Sequence, residues 1–181
     1  MELLRGSKVY LRLIEEEDIP ARVEWINDRE IQSTLNYDIP TSISKTKAWF
    51  HRIQLDNTRR EFSIFTCDGD KYIGFCGLIN IQSPVMRAEL HCVIGEKGFH
   101  HGGYGTEAYK LLTNYGFAEL GLNRVYGYQL IHNAAAHRVV EKLGWKREGL
   151  LRRDVFSHGS LNDRFVVAIL REDWQSLEVY K

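Results

Sequence analysis

A chain of 181 residues in which 24 basic and 24 acidic side chains cancel is long enough to bury one sizeable core and short for two. That balance excludes a generic electrostatic pull toward nucleic acid or an anionic membrane surface, so no nucleic-acid partner is expected. No window approaches the roughly 20 apolar residues of a membrane span, and the start MELLRGSKVYLRLIEEED lacks the layout of a secretion signal, so a cytoplasmic protein is expected.

Lys8 to Ile14 alternates apolar and polar residues and reads as a strand. The acidic Glu15 to Asp18 suits a helix first turn, and Ala21 to Ile26 continues that helix with Val23, Trp25 and Ile26 on its apolar face. Pro40 breaks the chain, after which Ser42 or Ser44 caps a second helix carrying Trp49, Phe50 and Ile53. Three antiparallel strands follow, Glu61 to Asp68, Tyr72 to Gln82 and Ala88 to Gly95, separated by the turns DGDK and SPVMR. Cys67, Cys76 and Cys92 lie in these apolar runs without C-x-x-C spacing, which predicts reduced thiols and no disulfide framework.

The next unit differs in kind. Strand Ala88 to Ile94, a glycine loop, helix Thr106 to Leu120 and strand Asn123 to Ile131 form a βαβ unit, which demands a crossover. A helix from Ala134 to Leu143 ends at Gly144, an ordinary C-cap glycine. Two strands close the chain, Trp145 to Phe156 and Arg164 to Leu170, joined by the turn SHGSLND. The class is α/β (α+β), a single domain over residues 1–181 with a mixed sheet of about seven strands flanked by about four helices.

The loop GFHHGGYGTEAYKLL raises three chemistries. Gly98 and Gly103 have P-loop spacing, but Tyr104-Gly105 stand where the lysine and hydroxyl belong. Gly103 to Ala108 fits G-x-G-x-x-A, yet it follows antiparallel strands and no acidic ribose partner lies about 20 residues on. His100 and His101 are adjacent, so extended backbone points them apart, and no converging third ligand is evident; no metal is expected. Physics favours an anion site: Gly102, Gly103 and Gly105 let backbone approach a ligand, and the N–H groups opening the helix at Thr106 point at a phosphate.

Ala88 to Gly149 resembles the acetyl-CoA-binding core of the GCN5-related N-acetyltransferases (GNAT), in the branch of ribosomal-protein N-terminal and polyamine acetyltransferases. The resemblance rests on the strand ending Val93-Ile94-Gly95, the G-x-G at Gly103 to Gly105, and Asn133 followed by a helix closing in EKLGW. It implies that Cys92, Val93 and Ile94 pair with the pantetheine arm of acetyl-CoA and that His100, His101, Gly102, Gly103, Tyr104, Gly105 and Thr106 hold the pyrophosphate. Asn133 would orient the arm or the acceptor, or cap its helix.

The implied reaction is direct attack of a primary amine (a protein N-terminal α-amine, a polyamine or an amino sugar) on the thioester in a ternary complex. An alkylammonium, with a pKa near 10, must first lose a proton. Glu89 stands where relatives carry a general-base glutamate, and His91, on the same face by period 2, is the reserve. A backbone N–H near Cys92 or Val93 would stabilise the oxyanion. The family's acid is missing: Val140 and Ala136 replace its tyrosine and serine, leaving Tyr126, Tyr128 or water to protonate the thiolate. By the same resemblance the acceptor pocket includes Asn36, Tyr37 and Asp163, and exposed strand edges in such folds pair copies into homodimers. Two other classes fit less of the pattern, a non-catalytic acetyl-CoA-binding module and a dinucleotide oxidoreductase; an acetyl-cysteine at Cys92 is a further route.

Overall fold

The computed structural model describes residues 4–35, 39–157 and 159–177. Its strands are β1 (Leu4–Arg5), β2 (Val9–Leu13), β3 (Arg60–Thr66), β4 (Tyr72–Gln82), β5 (Arg87–Ile94), β6 (Arg124–Leu130), β7 (Lys146–Ser157) and β8 (Ser160–Leu170). They form one eight-stranded sheet in the order β1-β2-β3-β4-β5-β6-β8-β7. Every pairing is antiparallel except β5 with β6, the pair joined by the predicted crossover. The helices are α1 (Ile19–Asn27), α2 (Arg29–Gln32), α3 (Ile43–Ile53), α4 (Tyr104–Ala118), α5 (Ala134–Lys142) and α6 (Arg171–Ser176).

The mixed sheet is as expected, with one strand and two short helices more than the pattern showed. β1 has two residues, too few to alternate; the bond from Gly6 N–H to Val9 O, 2.8 Å, folds it back on β2. α2 has four residues and rests on Asp28, whose side chain accepts from the N–H groups of Glu30 and Ile31. Glu16 to Asp18 form a 3-10 turn instead of the start of an α-helix. Asp18 is buried there because its carboxylate accepts from Arg12 at 2.8 Å and from the Ser63 hydroxyl at 2.6 Å. SHGSLND is only partly a turn: Leu161 and Asn162 pair with Phe156 and Val155, so β8 begins at Ser160.

Side chains alternate across the sheet and divide it into two faces. Phe62, Ile64, Cys76, Leu78, Ala88 and Leu90 pack with α4 and α5 in the main core, together with Trp145 and Trp174. Phe75 and Val93, one residue out of phase, pack on the other face against Trp25, Ile26 and Ile31 of α1 and α2. Glu61, Glu89 and His91 belong by parity to this second face.

Helix α4 is anchored by Glu107, in its first turn. The carboxylate accepts from Ser7 N (3.0 Å), Ser7 Oγ (2.6 Å), Lys8 N (2.6 Å) and Val9 N (2.8 Å). Partial burial alone would raise its pKa; the Ser7 hydroxyl and the three backbone donors outweigh that and hold it below the ordinary carboxylate value. A folded pKa below the unfolded one makes this contribution fully present at neutral pH and removes it as pH falls through the acid range. Glu107→Gln is therefore expected to lose about 2 kcal/mol at pH 7. The deficit should begin to shrink below about pH 4.3 and disappear only below the lowered folded pKa, as denaturant unfolding across the acid range would show.

Candidate active site

Parallel pairing of β5 with β6 covers only three rows, Arg87↔Arg124, Ala88↔Val125 and Glu89↔Tyr126. Beyond Glu89 the strands diverge. Leu90 to Ile94 keep their β4 partners, so the edge of β5 that faces β6 offers backbone groups with no strand opposite. The divergence opens a cleft of about 1300 Å³ that crosses the sheet and reaches the N-termini of α4 and α5.

On one side lies the glycine loop. Gly103 adopts φ +84°, a conformation that favours glycine, and caps α4, which therefore starts at Tyr104, two residues earlier than the pattern indicated. The N–H groups of Tyr104, Gly105 and Thr106 precede the first intrahelical bond, from Glu107 N to Gly103 O, and all three residues line the cleft. His100 and His101 also line it; His100 Nε2 lies 2.9 Å from Ile94 O, while His101 is exposed at φ +63°. Gly102 is turned away, its carbonyl accepting from Lys8 Nζ at 2.8 Å. Across the cleft, α5 contributes Asn133, whose side chain accepts from Ala136 N at 3.0 Å and so caps the helix, and the exposed Arg138 and Lys142. These two cations were not singled out from sequence, although their i,i+4 spacing puts them on one face of α5. Together with the α4 N-terminus they make a wall suited to an anion.

The middle of the cleft holds Glu89, His91, Cys92, Val93 and Ile94 from β5, as the sequence suggested. Glu89 Oε2 accepts from Asn80 Nδ2 at 3.0 Å. His91 meets a residue that the sequence did not reveal: its Nε2 is 3.2 Å from Oε2 of Glu61, on β3. The two reach each other across β4 because Gly77 stands between them in the register, opposite Glu61 on one side and His91 on the other. A Cβ on Gly77 would lie 2.7 Å from His91 Nε2 and 3.0 Å from Glu61 Oε2. Glu61 is buried, which by itself raises a carboxyl pKa; His91, Arg22 and Arg59 reverse this and hold it low, hence ionised. His91 Nδ1 and Glu61 Oε2 are buried without a hydrogen-bond partner.

Among the tyrosines considered, Tyr128 lines the cleft and Tyr126 does not. Val140 is buried in the main core, and Ala136 presents only a methyl group to the cleft. Tyr109 of α4, unremarked in the sequence, does line it. Burial first, then the proximity of Cys92, Cys76 and Glu89, pushes its phenol pKa up, so it stays protonated. Asp163 is not in the cleft; its carboxylate accepts from Arg153 N at 2.7 Å and shapes β7. Asn36 and Tyr37 lie outside the described residues. Among the described residues, no group of three or more His, Cys, Asp and Glu side chains is placed to hold a metal ion, and no helix is long and apolar enough to cross a membrane.

Residues 8–146 match the family described as Acetyltransferase (GNAT) domain. Uncharacterized N-acetyltransferase p20 of Bacillus licheniformis is 29% identical over 178 residues, 96% of this chain and 99% of that one. Spermidine N(1)-acetyltransferase of Escherichia coli K12 is 30% identical over 119 residues, 66% of this chain and 62% of its own. The crystal structure of Vibrio cholerae spermidine N-acetyltransferase in complex with CoA and spermine superposes with a TM-score of 0.88 at 23% identity, covering 94% of this chain and all (100%) of that one.

Proposed function

This chain belongs to the GNAT acetyltransferase family and is an acetyl-CoA-dependent N-acetyltransferase, and from that premise we propose that its cleft moves the acetyl group directly to a primary amine, the two substrates bound together. The carrying observation is the divergence of β5 from β6 after Glu89, which leaves the edge around Cys92 open toward the α4 N-terminus and the cations of α5. Acetyl-CoA supplies a thioester whose carbonyl accepts the amine. The β5 edge at Cys92, Val93 and Ile94 would pair with an extended amide-bearing arm. The loop from His100 to Thr106, less Gly102, would bind its phosphates, with Arg138 and Lys142 facing them.

Glu89 removes the ammonium proton, directly or through water. Backbone N–H at Cys92 or Val93 stabilises the oxyanion as the C–N bond forms and the C–S bond breaks. Tyr109, kept protonated by burial, returns a proton to the thiolate in place of the tyrosine that Val140 replaces. A second reading makes His91 the base, favoured by its buried, unpartnered Nδ1 and by Glu61 behind Nε2. Two of the similar proteins, those of Escherichia coli and Vibrio cholerae, are named spermidine acetyltransferases, which supports an amine acceptor.

A thiol-release assay with acetyl-CoA and N-terminal peptides, polyamines, amino sugars and amino acids tests the reading. Amine-dependent release of CoA with formation of the N-acetyl product is expected. Acetyl-CoA raising the melting temperature without turnover of any amine would mark a binding module instead.

A further inference from the structure

The acceptor end of the cleft, on the α1–α3 face of the sheet, carries guanidinium groups whose hydrogens its own acids do not satisfy. Arg22 of α1 and Arg59, the residue before β3, flank the single carboxylate of Glu61: Arg22 Nη2 is 3.9 Å from Oε2 and Arg59 Nη1 is 3.7 Å from Oε1. Neither distance is that of a hydrogen bond. Arg22 is fixed over aromatic faces, its guanidinium carbon 3.8 Å from the Phe75 ring centroid and 4.5 Å from that of Trp49. Yet Arg22 Nη1 and Arg59 Nε are buried with no acceptor. Asp56 approaches Arg59 Nε at 3.6 Å, too far for a hydrogen bond, and its Oδ1 already accepts from the N–H and hydroxyl of Thr58.

The other acids that line the cleft are engaged. Glu30 is held by Lys97 Nζ at 2.8 Å and Glu89 by Asn80 at 3.0 Å. A chain of ammonium groups would find on this wall, among the described residues, only the buried Glu61 Oε2 without a hydrogen-bond donor, and would meet two arginines of its own sign. A carboxylate is the complement. Buried cationic donors without acceptors are costly, and guanidinium matches a carboxylate in both charge and fork geometry.

Resting on the acetyl-transfer reading above, we propose that the acceptor is a primary amine that also carries a carboxylate, received by Arg22 and Arg59, with its amine directed to Glu89 and His91. The carboxylate occupies the donors that Glu61 leaves unsatisfied, and the two arginines disfavour a polyamine by charge.

The test compares acceptors alike in shape and different in charge: alanine, alaninamide and 1,2-diaminopropane at the short spacing, then 4-aminobutyrate, 4-aminobutanamide and putrescine at the longer one. A peptide pair, Ala-Glu-Gly and Ala-Lys-Gly, distinguishes a free amino acid from an acidic N-terminus as the source. In at least one of these sets the carboxylate member should exceed the others in kcat/KM by about tenfold or more. Arg59→Gln should erase most of that preference through KM, and Arg59→Lys should restore part of it. Turnover that favours the ammonium or neutral member in every set overturns the proposal while acetyl transfer stands. A preference unchanged in Arg59→Gln removes Arg59 from the site and overturns the assignment as stated. If no amine is turned over although acetyl-CoA raises the melting temperature, the acetyl-transfer reading falls and this inference with it.

Discussion

Glu89→Gln is expected to lower kcat by about 10²- to 10⁴-fold, the range of a positioned general base, while the rise in melting temperature on adding acetyl-CoA stays near that of the wild type. The amide keeps the shape of the side chain and its contact with Asn80, so what it loses is the capacity to take a proton. Glu89 and His91 share one face of β5 on the open part of the cleft, which makes the pair of single variants a discrimination. If His91→Asn carries the large loss and Glu89→Gln stays within tenfold, the base is His91, with Glu61 holding it. Tyr109→Phe belongs to the same experiment. A cost of up to about 10²-fold in kcat, with the acetyl-CoA effect retained, is expected of a removed proton donor. Full activity in Tyr109→Phe would return that proton to Tyr128 or to water.

Gly77→Ala is expected to destabilise the fold by about 3 kcal/mol and to lower the melting temperature by roughly 6–12 °C. The new Cβ would sit 2.8 Å from the carbonyl oxygen of Arg60, a backbone atom that no rotamer change can move aside. It would also stand 2.7 Å from His91 Nε2 and 3.0 Å from Glu61 Oε2, wedging apart the contact between them. Moving His91 aside takes a neighbour from the buried, ionised Glu61, which adds to the cost. Thermal unfolding monitored by circular dichroism measures the effect. A melting temperature within about 2 °C of the wild type would mean that β3 and β4 separate freely, and that Glu61 and His91 are not locked together through the gap at Gly77.

Features written in short stretches of chain were legible. Alternation marked β2, apolar runs between turns marked β3 to β5, and caps marked α3 and α5; Ser42, one of two proposed caps, accepts from Lys45 N at 3.1 Å. Glycine spacing marked the anion loop, and Asn133 marked the start of α5. Elements too short to repeat their own period, β1 with two residues, α2 with four and α6 with six, left no pattern to find. The start of β8 was misplaced because SLND is polar and turn-like, yet pairs across the hairpin with β7.

What the sequence by itself determined is the order and kind of the longer elements, the β5–α4–β6 crossover and the glycine loop before α4, since each rests on neighbours a few residues apart, whereas the divergence of β5 from β6 belongs to the tertiary structure. Tertiary structure alone decided which side chains share the cleft. Glu61 meets His91 thirty residues away only because two antiparallel registers place both beside Gly77, and Arg22 joins them only because α1 packs Trp25 and Ile26 onto Phe75 and Val93. Such pairings depend on strand register and helix docking, which arise from the burial of the whole sheet and leave no local periodicity to read. The same holds in reverse for Asp163, a loop acid by composition, which the hairpin turned toward its own backbone.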